Sequence, residues 1–172
     1  MQTIKKDVFV IRILAGLFMI SVVAIGCTKT DTGACENVTA ASEKAQLVAY
    51  ATKNGITYTE HSTGMLYQIT NPGAGLQPNL SSRVFIGYKG RRMDETVFDS
   101  ANIAPPYANF ILGDLIQGWK VGIPLIRKGG SIKLVIPSSM AYGCAGSKNF
   151  NGTYNINPNS PLYFEISLLD VQ

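Results

Sequence analysis

His61 is the only histidine in the chain's 172 residues, which removes most of the usual catalytic chemistry. It precedes the turn Ser62-Thr63-Gly64, with no Cys, Asp and Glu cluster of ligand spacing around it. A Ser-His-Asp or Cys-His set therefore has no base, and there is no metal set. Asp99 and Asp114 stand in separate motifs rather than as an acid–base pair. A chain without nucleophile, base, metal or cofactor works by binding and distortion, or it is not an enzyme. What it does hold is an apolar stretch from Gly113 to Gly143, GDLIQGWKVGIPLIRKGGSIKLVIPSSMAYG. Leu115-Ile116-Gln117-Gly118-Trp119 opens a short helix. Arg127 to Gly130 is a turn, and Ser131 to Ile136 alternates as a half-buried strand. Pro137 cannot donate a ladder hydrogen bond and closes that strand. Ser138 to Gly143 is a compact turn carrying Tyr142.

Other elements must hold this stretch in place. Thr28 to Val38 is polar and aperiodic, a tether. Thr39 to Asn54 predicts a helix: Leu47, Val48, Tyr50 and Ala51 share a face, Glu43 lies in the first turns, and Lys53-Asn54-Gly55 ends it. Three readings stand for this helix: it packs on the domain, forms half of a dimer contact, or is a spacer. Ile56 to Glu60 is a short extended piece, and Met65 to Thr70 a first strand. Asn71-Pro72-Gly73-Ala74-Gly75 follows, without the lysine and hydroxyl of a phosphate cradle. Arg83 to Lys89 alternates as a second strand, with Val84, Ile86 and Tyr88 on one face. Its hairpin tip carries Arg91, Arg92, Asp94 and Glu95. Ala101 to Ala108 is a loop, Asn109 to Leu112 a short strand, and Leu162 to Val171 the last strand. Asn149 to Pro161 is asparagine-rich and irregular.

Five blocks stand in order: Tyr88-Lys89-Gly90, Val97-Phe98-Asp99-Ser100, Phe110-Ile111-Leu112-Gly113, the Gly113–Gly143 stretch, and Pro161 to Leu169. Together they resemble the FKBP-type peptidyl-prolyl isomerases, the tacrolimus-binding immunophilins, over roughly Met65 to Val171. The resemblance implies an α+β fold: an antiparallel five- to six-stranded sheet wrapped around one short helix, with an N-terminal helix ahead of it. It implies a prolyl pocket with Trp119 as floor and Tyr88, Phe98 and Phe164 as aromatic walls. Leu115 and Ile116 line one side, and the Ile116 N–H meets a substrate carbonyl. Tyr142 offers its O–H to another carbonyl, and Asp99 orients the polar rim. Four departures from the family pattern stand out. Ala108 replaces a wall aromatic, with Tyr107 as a substitute, and Glu95 takes a tip position where glycine is common. Met93 stands near a usual leucine. The loop from Cys144 to Asn157 is longer than in small members, with Asn157-Pro158-Asn159 in place of a double proline and Ile156 expected over the pocket.

The implied reaction suits a chain without titrating machinery. The X–Pro amide is held planar by resonance behind a barrier of about 18–20 kcal/mol, and its uncatalysed exchange takes tens of seconds. Twisting the amide weakens its conjugation and its dipole, so a dry aromatic pocket favours the twisted form. The expected partners are proline-containing unfolded or exported polypeptides, with a macrolide as another ligand of the pocket. A non-catalytic holdase or peptide-binding module using the same cleft is the alternative.

Lys5, Lys6 and Arg12 precede an uncharged apolar run from Ile13 to Gly26, the layout of a secretory signal. Ala24-Ile25-Gly26-Cys27 resembles a bacterial lipobox, with alanine at the usual leucine position. It implies lipid on Cys27 and residence in the cell envelope, tethered to a membrane. An ordinary signal peptide or an uncleaved anchor are the alternatives. Residues 1–26 hold three basic residues and one acidic one, so their removal lowers the formal charge from +4 to +2. No basic patch for nucleic acid remains. Cys35 and Cys144 either bridge in an oxidising compartment or stay free, since Cys35 falls in the tether. The expected organisation is a signal over 1–26, a tether over 27–38, helix and connector over 39–63, and the isomerase domain over 64–172.

Overall fold

The computed structural model describes residues 34–102 and 108–172; Cys27 and Tyr107 lie outside them. Among the described residues two α-helices, α1 (Ala40–Lys53) and α2 (Gln117–Gly122), accompany nine strands. These are β1 (Thr59–Glu60), β2 (Leu66–Asn71), β3 (Arg83–Arg92), β4 (Val97–Ala101), β5 (Ala108–Ile111), β6 (Ser131–Ile136), β7 (Ser147–Lys148), β8 (Tyr154–Ile156) and β9 (Leu162–Val171). Seven of them form one antiparallel sheet in the order β1-β2-β6-β9-β3-β4, with β5 also pairing to β3. The sheet is wider than the five or six strands expected, because the two-residue β1 and the four-residue β5 both join it. The long β3 makes this possible: β9 runs along one edge, while β5 and then β4 share the other.

Side-chain alternation along the strands gives each face its role. Ile132, Leu134 and Ile136 of β6 and Leu162, Phe164, Ile166 and Leu168 of β9 point to one face and form the main core with Val84 and Ile86. The helix α2 lies across that face. It can do so because Gly118 and Gly122 carry no Cβ; one would stand 2.6 Å from Ile136 or from Leu134. The opposite face begins polar, with Ser131 and Lys133, but its next outward residue is Val135. That break in polarity has a reason: Leu66, Val135 and Tyr163 are register partners, and α1 covers them with Leu47, Tyr50 and Ala51. The N-terminal helix is thus a packed layer, capped at its start by Thr39 Oγ1 accepting from the Ser42 N–H at 3.2 Å.

Two segments read as irregular are ordered, one by a local hairpin and one by a bridge distant in sequence. Part of the asparagine-rich loop folds as the β7–β8 hairpin, with the Asn149 N–H donating to the Thr153 carbonyl at 2.8 Å. The end of the expected tether is fastened: Cys35 is disulfide-bonded to Cys144, with Cα atoms 5.4 Å apart. The bridge reading of those cysteines is therefore the one found.

The β3–β4 tip explains why a glutamate stands where glycine is common. It is a three-residue loop, Met93-Asp94-Glu95, whose last residue must adopt a left-handed backbone, and Glu95 has φ +68°. The strain is offset by its carboxylate, which accepts from Tyr50 Oη at 2.9 Å, Asn54 Nδ2 at 3.0 Å and Lys53 Nζ at 3.3 Å. Led by the Asn54 hydrogen bond, these contacts hold its pKa below the ordinary value. Glu95→Ala keeps about 1 kcal/mol of backbone strain and loses the clip, so it should destabilise by about 1 kcal/mol at pH 7. Glu95→Gly should be about 1 kcal/mol more stable than Glu95→Ala. Because the folded pKa is depressed, the stabilisation is complete above the ordinary carboxylate range and is lost as pH falls through the folded value. Urea unfolding of both variants measures this; an alanine variant as stable as the native chain at pH 7 would show that the clip holds nothing.

Candidate active site

Nine side chains line a cavity of about 160 Å³ between α2 and the sheet. Trp119, buried to 5% exposure, is its floor. Tyr88 stands edge-on to the indole at 5.0 Å and 78°, and Phe164 does so on another side at 5.0 Å and 82°. Phe98 continues the set, 5.6 Å and 84° from Phe164. Edge-to-face packing fixes these rings through their quadrupoles as well as by burial. Gly90 makes room for them: a Cβ there would stand 2.7 Å from both Phe98 and Phe164. Leu115 and Ile116 close the side next to α2.

Two rim hydroxyls differ in what they can offer. Tyr88 donates its O–H to Asp99 Oδ2 at 2.7 Å and is committed. Tyr142, at the lip with 38% of its surface exposed, has no hydrogen-bond partner for its hydroxyl among the described residues. Burial raises both phenol pKa values; the hydrogen bond to Asp99 adds to this at Tyr88, and the Asp99 charge does so at Tyr142. Both therefore remain donors at neutral pH. A backbone donor belongs to another lining residue: the Ile116 carbonyl accepts from Trp119 and Lys120 in the first turn of α2, while the Ile116 N–H has no partner among the described residues. The Trp119 indole N–H is likewise buried without an acceptor, a group that functional sites tolerate.

The structure thus brings Tyr88, Phe98, Asp99, Leu115, Ile116, Trp119, Tyr142 and Phe164 around one cavity. Two expected residues lie elsewhere. Ile156 is 1% exposed and belongs to the main core, so it presents nothing to a ligand. Ala108 sits opposite Ile86 on β5 and does not line the cavity. Tyr107 is outside the described residues. The wall residue not named from the sequence is Phe110, two positions along β5 from Ala108 and so on the same face of the strand. Its signal was the aromatic in Phe110-Ile111-Leu112-Gly113. A larger depression, about 410 Å³, lies on the other face of the sheet. Its lining mixes Ser131, Ser167, Lys89, Lys133 and Glu165 with Tyr88, Ile132 and Ile166, without the set of facing aromatic rings found at Trp119.

Comparison with known proteins agrees with this geometry. Residues 75–169 match the FKBP-type peptidyl-prolyl cis-trans isomerase family. The FKBP-type peptidyl-prolyl cis-trans isomerase FkpA of Escherichia coli strain K12 is 42% identical over 111 residues, 64% of this chain. The chain spans 39% of that relative's length. The crystal structure of Escherichia coli FkpA superposes with a TM-score of 0.64 at 38% identity, over 77% of this chain and 61% of that one. A peptidyl-prolyl cis-trans isomerase from Pseudomonas syringae pv. tomato superposes with a TM-score of 0.63 at 32% identity, over 77% of this chain and 92% of that one. A family match over more than half the chain, on a sheet and pocket of this form, leads to one conclusion: the chain belongs to the FKBP-type peptidyl-prolyl cis-trans isomerase family.

Proposed function

We propose that the chain catalyses cis–trans isomerisation of X–Pro peptide bonds in exported polypeptides, by binding the twisted amide rather than by proton transfer. The carrying observation is the pairing of an aromatic cavity with two donors that have no partner among the described residues, the Ile116 N–H and the Tyr142 O–H. A prolyl ring rests on Trp119 between Tyr88, Phe98 and Phe164, and the donors hold carbonyls on either side of the amide. The planar amide has the larger dipole and loses more solvation in this dry cavity, so the twisted form is favoured. Asp99 accepts from Tyr88 and keeps that wall and the polar rim in register. A tacrolimus-like macrolide would compete for the same apolar walls.

We place the protein in the bacterial envelope, held by lipid on Cys27, on the strength of the basic and apolar sequence before that cysteine. Cys27→Ser should abolish metabolic labelling with a fatty acid; unchanged labelling would remove the anchor from this account.

The pH dependence separates distortion from acid–base catalysis. No histidine lines the cavity among the described residues, and both phenols are raised above their ordinary values. The rate should be nearly flat between about pH 6 and 8; a bell-shaped profile there would point to a titrating group.

Substitutions separate the enzyme from a holdase. Tyr142→Phe keeps the ring and removes a hydrogen bond of about 0.5–1.5 kcal/mol. It should lower kcat/KM roughly three- to tenfold and spare the binding of apolar ligands. Asp99→Ala should cost a similar or larger factor. Trp119→Ala should harm fold and binding together, at about 3–5 kcal/mol. A protease-coupled assay on proline tetrapeptides and an aggregation-suppression assay measure both properties. A native chain that suppresses aggregation without isomerising, indifferent to Tyr142→Phe, would establish the holdase instead.

A further inference from the structure

The turn that carries Tyr142 is gripped at both ends by the segment ahead of the domain. At its start, the Ser138 N–H donates to Glu43 Oε2 at 2.7 Å, across 95 residues of sequence. At its end, the Cys144 N–H donates to Asn37 Oδ1 at 2.8 Å, and Cys144 is disulfide-bonded to Cys35. A third hold runs through Asn159. Its N–H donates to the Gly143 carbonyl at 2.8 Å. Its side chain accepts from the Val38 N–H at 3.4 Å and donates to the Glu36 carbonyl at 3.3 Å.

Glu43 is the telling member of this set. It is 7% exposed and Ser138 is fully buried. A buried carboxyl is costly unless it is satisfied, and no cation lies within salt-bridge distance of Glu43 among the described residues. Its hydrogen bond goes to the backbone that leads into the turn. A residue needed only to cover the sheet from α1 would be apolar, as Leu47 and Ala51 are. Opposite ends of seven residues, Ser138 to Cys144, are thereby fixed, and the turn between them, closed by the Ala141 N–H donating to the Ser138 carbonyl at 2.9 Å, carries Tyr142 to the lip.

We propose that Glu43 is a positioning residue for isomerisation, and that it acts with Asn37 and the Cys35–Cys144 bridge to hold the Tyr142 hydroxyl at the mouth of the pocket. The proposal rests on the isomerase reading for its kinetic consequence. The N-terminal segment is then part of the active-site lip.

A double-mutant cycle on the full chain tests this. Glu43→Ala should lower kcat/KM about three- to tenfold where Tyr142 is present, the same range as removing its hydroxyl. In a Tyr142→Phe background the same change should cost less than about twofold. Glu43→Gln keeps an acceptor and should restore the rate to within about twofold of the native chain. Equal losses in both backgrounds, or a folded Glu43→Ala variant with native kinetics, would overturn the proposal. If Glu43→Ala fails to fold, Asn37→Ala at the exposed end of the grip should give the same dependence on Tyr142, and an additive loss there overturns it equally. A second readout does not need activity. With 3-fluorotyrosine incorporated and the Tyr142 resonance assigned by its loss in Tyr142→Phe, Glu43→Ala should shift or broaden that signal and Glu43→Gln should restore it. An unchanged Tyr142 resonance in Glu43→Ala counts against the grip. An inactive native chain counts against the isomerase reading and leaves the grip to be decided by that resonance.

Discussion

Gly118 and Gly122, four residues apart, let the backbone of α2 rest directly on Ile136 and Leu134. The indole of Trp119 comes from the same turn and meets Tyr88 and Phe164 at 5.0 Å on each side. A helix held one methyl group further away would lift the indole from both rings and open the floor of the pocket. The strands follow from the same constraint. Gly90 leaves space for Phe98 and Phe164 where β3 pairs with β9, and the alternating apolar residues of β6 and β9 give α2 an apolar surface. Close packing by small residues is therefore what makes the cavity apolar, narrow and rigid.

On this floor the polar groups are few and unequal. Asp99 takes the Tyr88 hydroxyl, which leaves the Tyr142 O–H and the Ile116 N–H, besides the buried Trp119 indole, as donors without a partner among the described residues. Such an arrangement suits a substrate whose carbonyls must be held while the bond between them turns. On the proposed reading it donates hydrogen bonds and transfers no proton. The opposite face of the sheet carries a different load. There α1 covers Leu66, Val135 and Tyr163, and Glu95 fastens the β3–β4 tip to the end of α1.

Much of this was legible in the sequence because it is local or periodic. Alternation gave β3, β6 and β9, and the end signals of α1 gave its limits to within a residue or so. Aromatic blocks at family spacing located eight of the cavity's residues. Phe110 is hidden by the small Ala108 at the usual wall position, although both share one face of β5. Ile156 was misplaced because an apolar residue in a long loop looks the same whether it lines a pocket or fills a core. The remaining features depend on long-range encounters that no local pattern encodes. Glu43 looks like an ordinary first-turn acid until Ser138 arrives from 95 residues away. Cys35 looks like part of a tether until Cys144 is found beside it. Even so, Val135 carried a trace of α1, as an apolar residue breaking a polar outward row.

The central claim is that the pocket accelerates X–Pro exchange by stabilising a twisted amide, with no proton in flight. Catalysed exchange of a proline tetrapeptide, followed in light and in heavy water at matched conditions, tests it directly. Acceleration over the free peptide with a rate ratio near one is expected, since no bond to hydrogen changes in the rate-limiting twist. A ratio of about two or more, or no acceleration by a folded chain that binds the peptide, would contradict it.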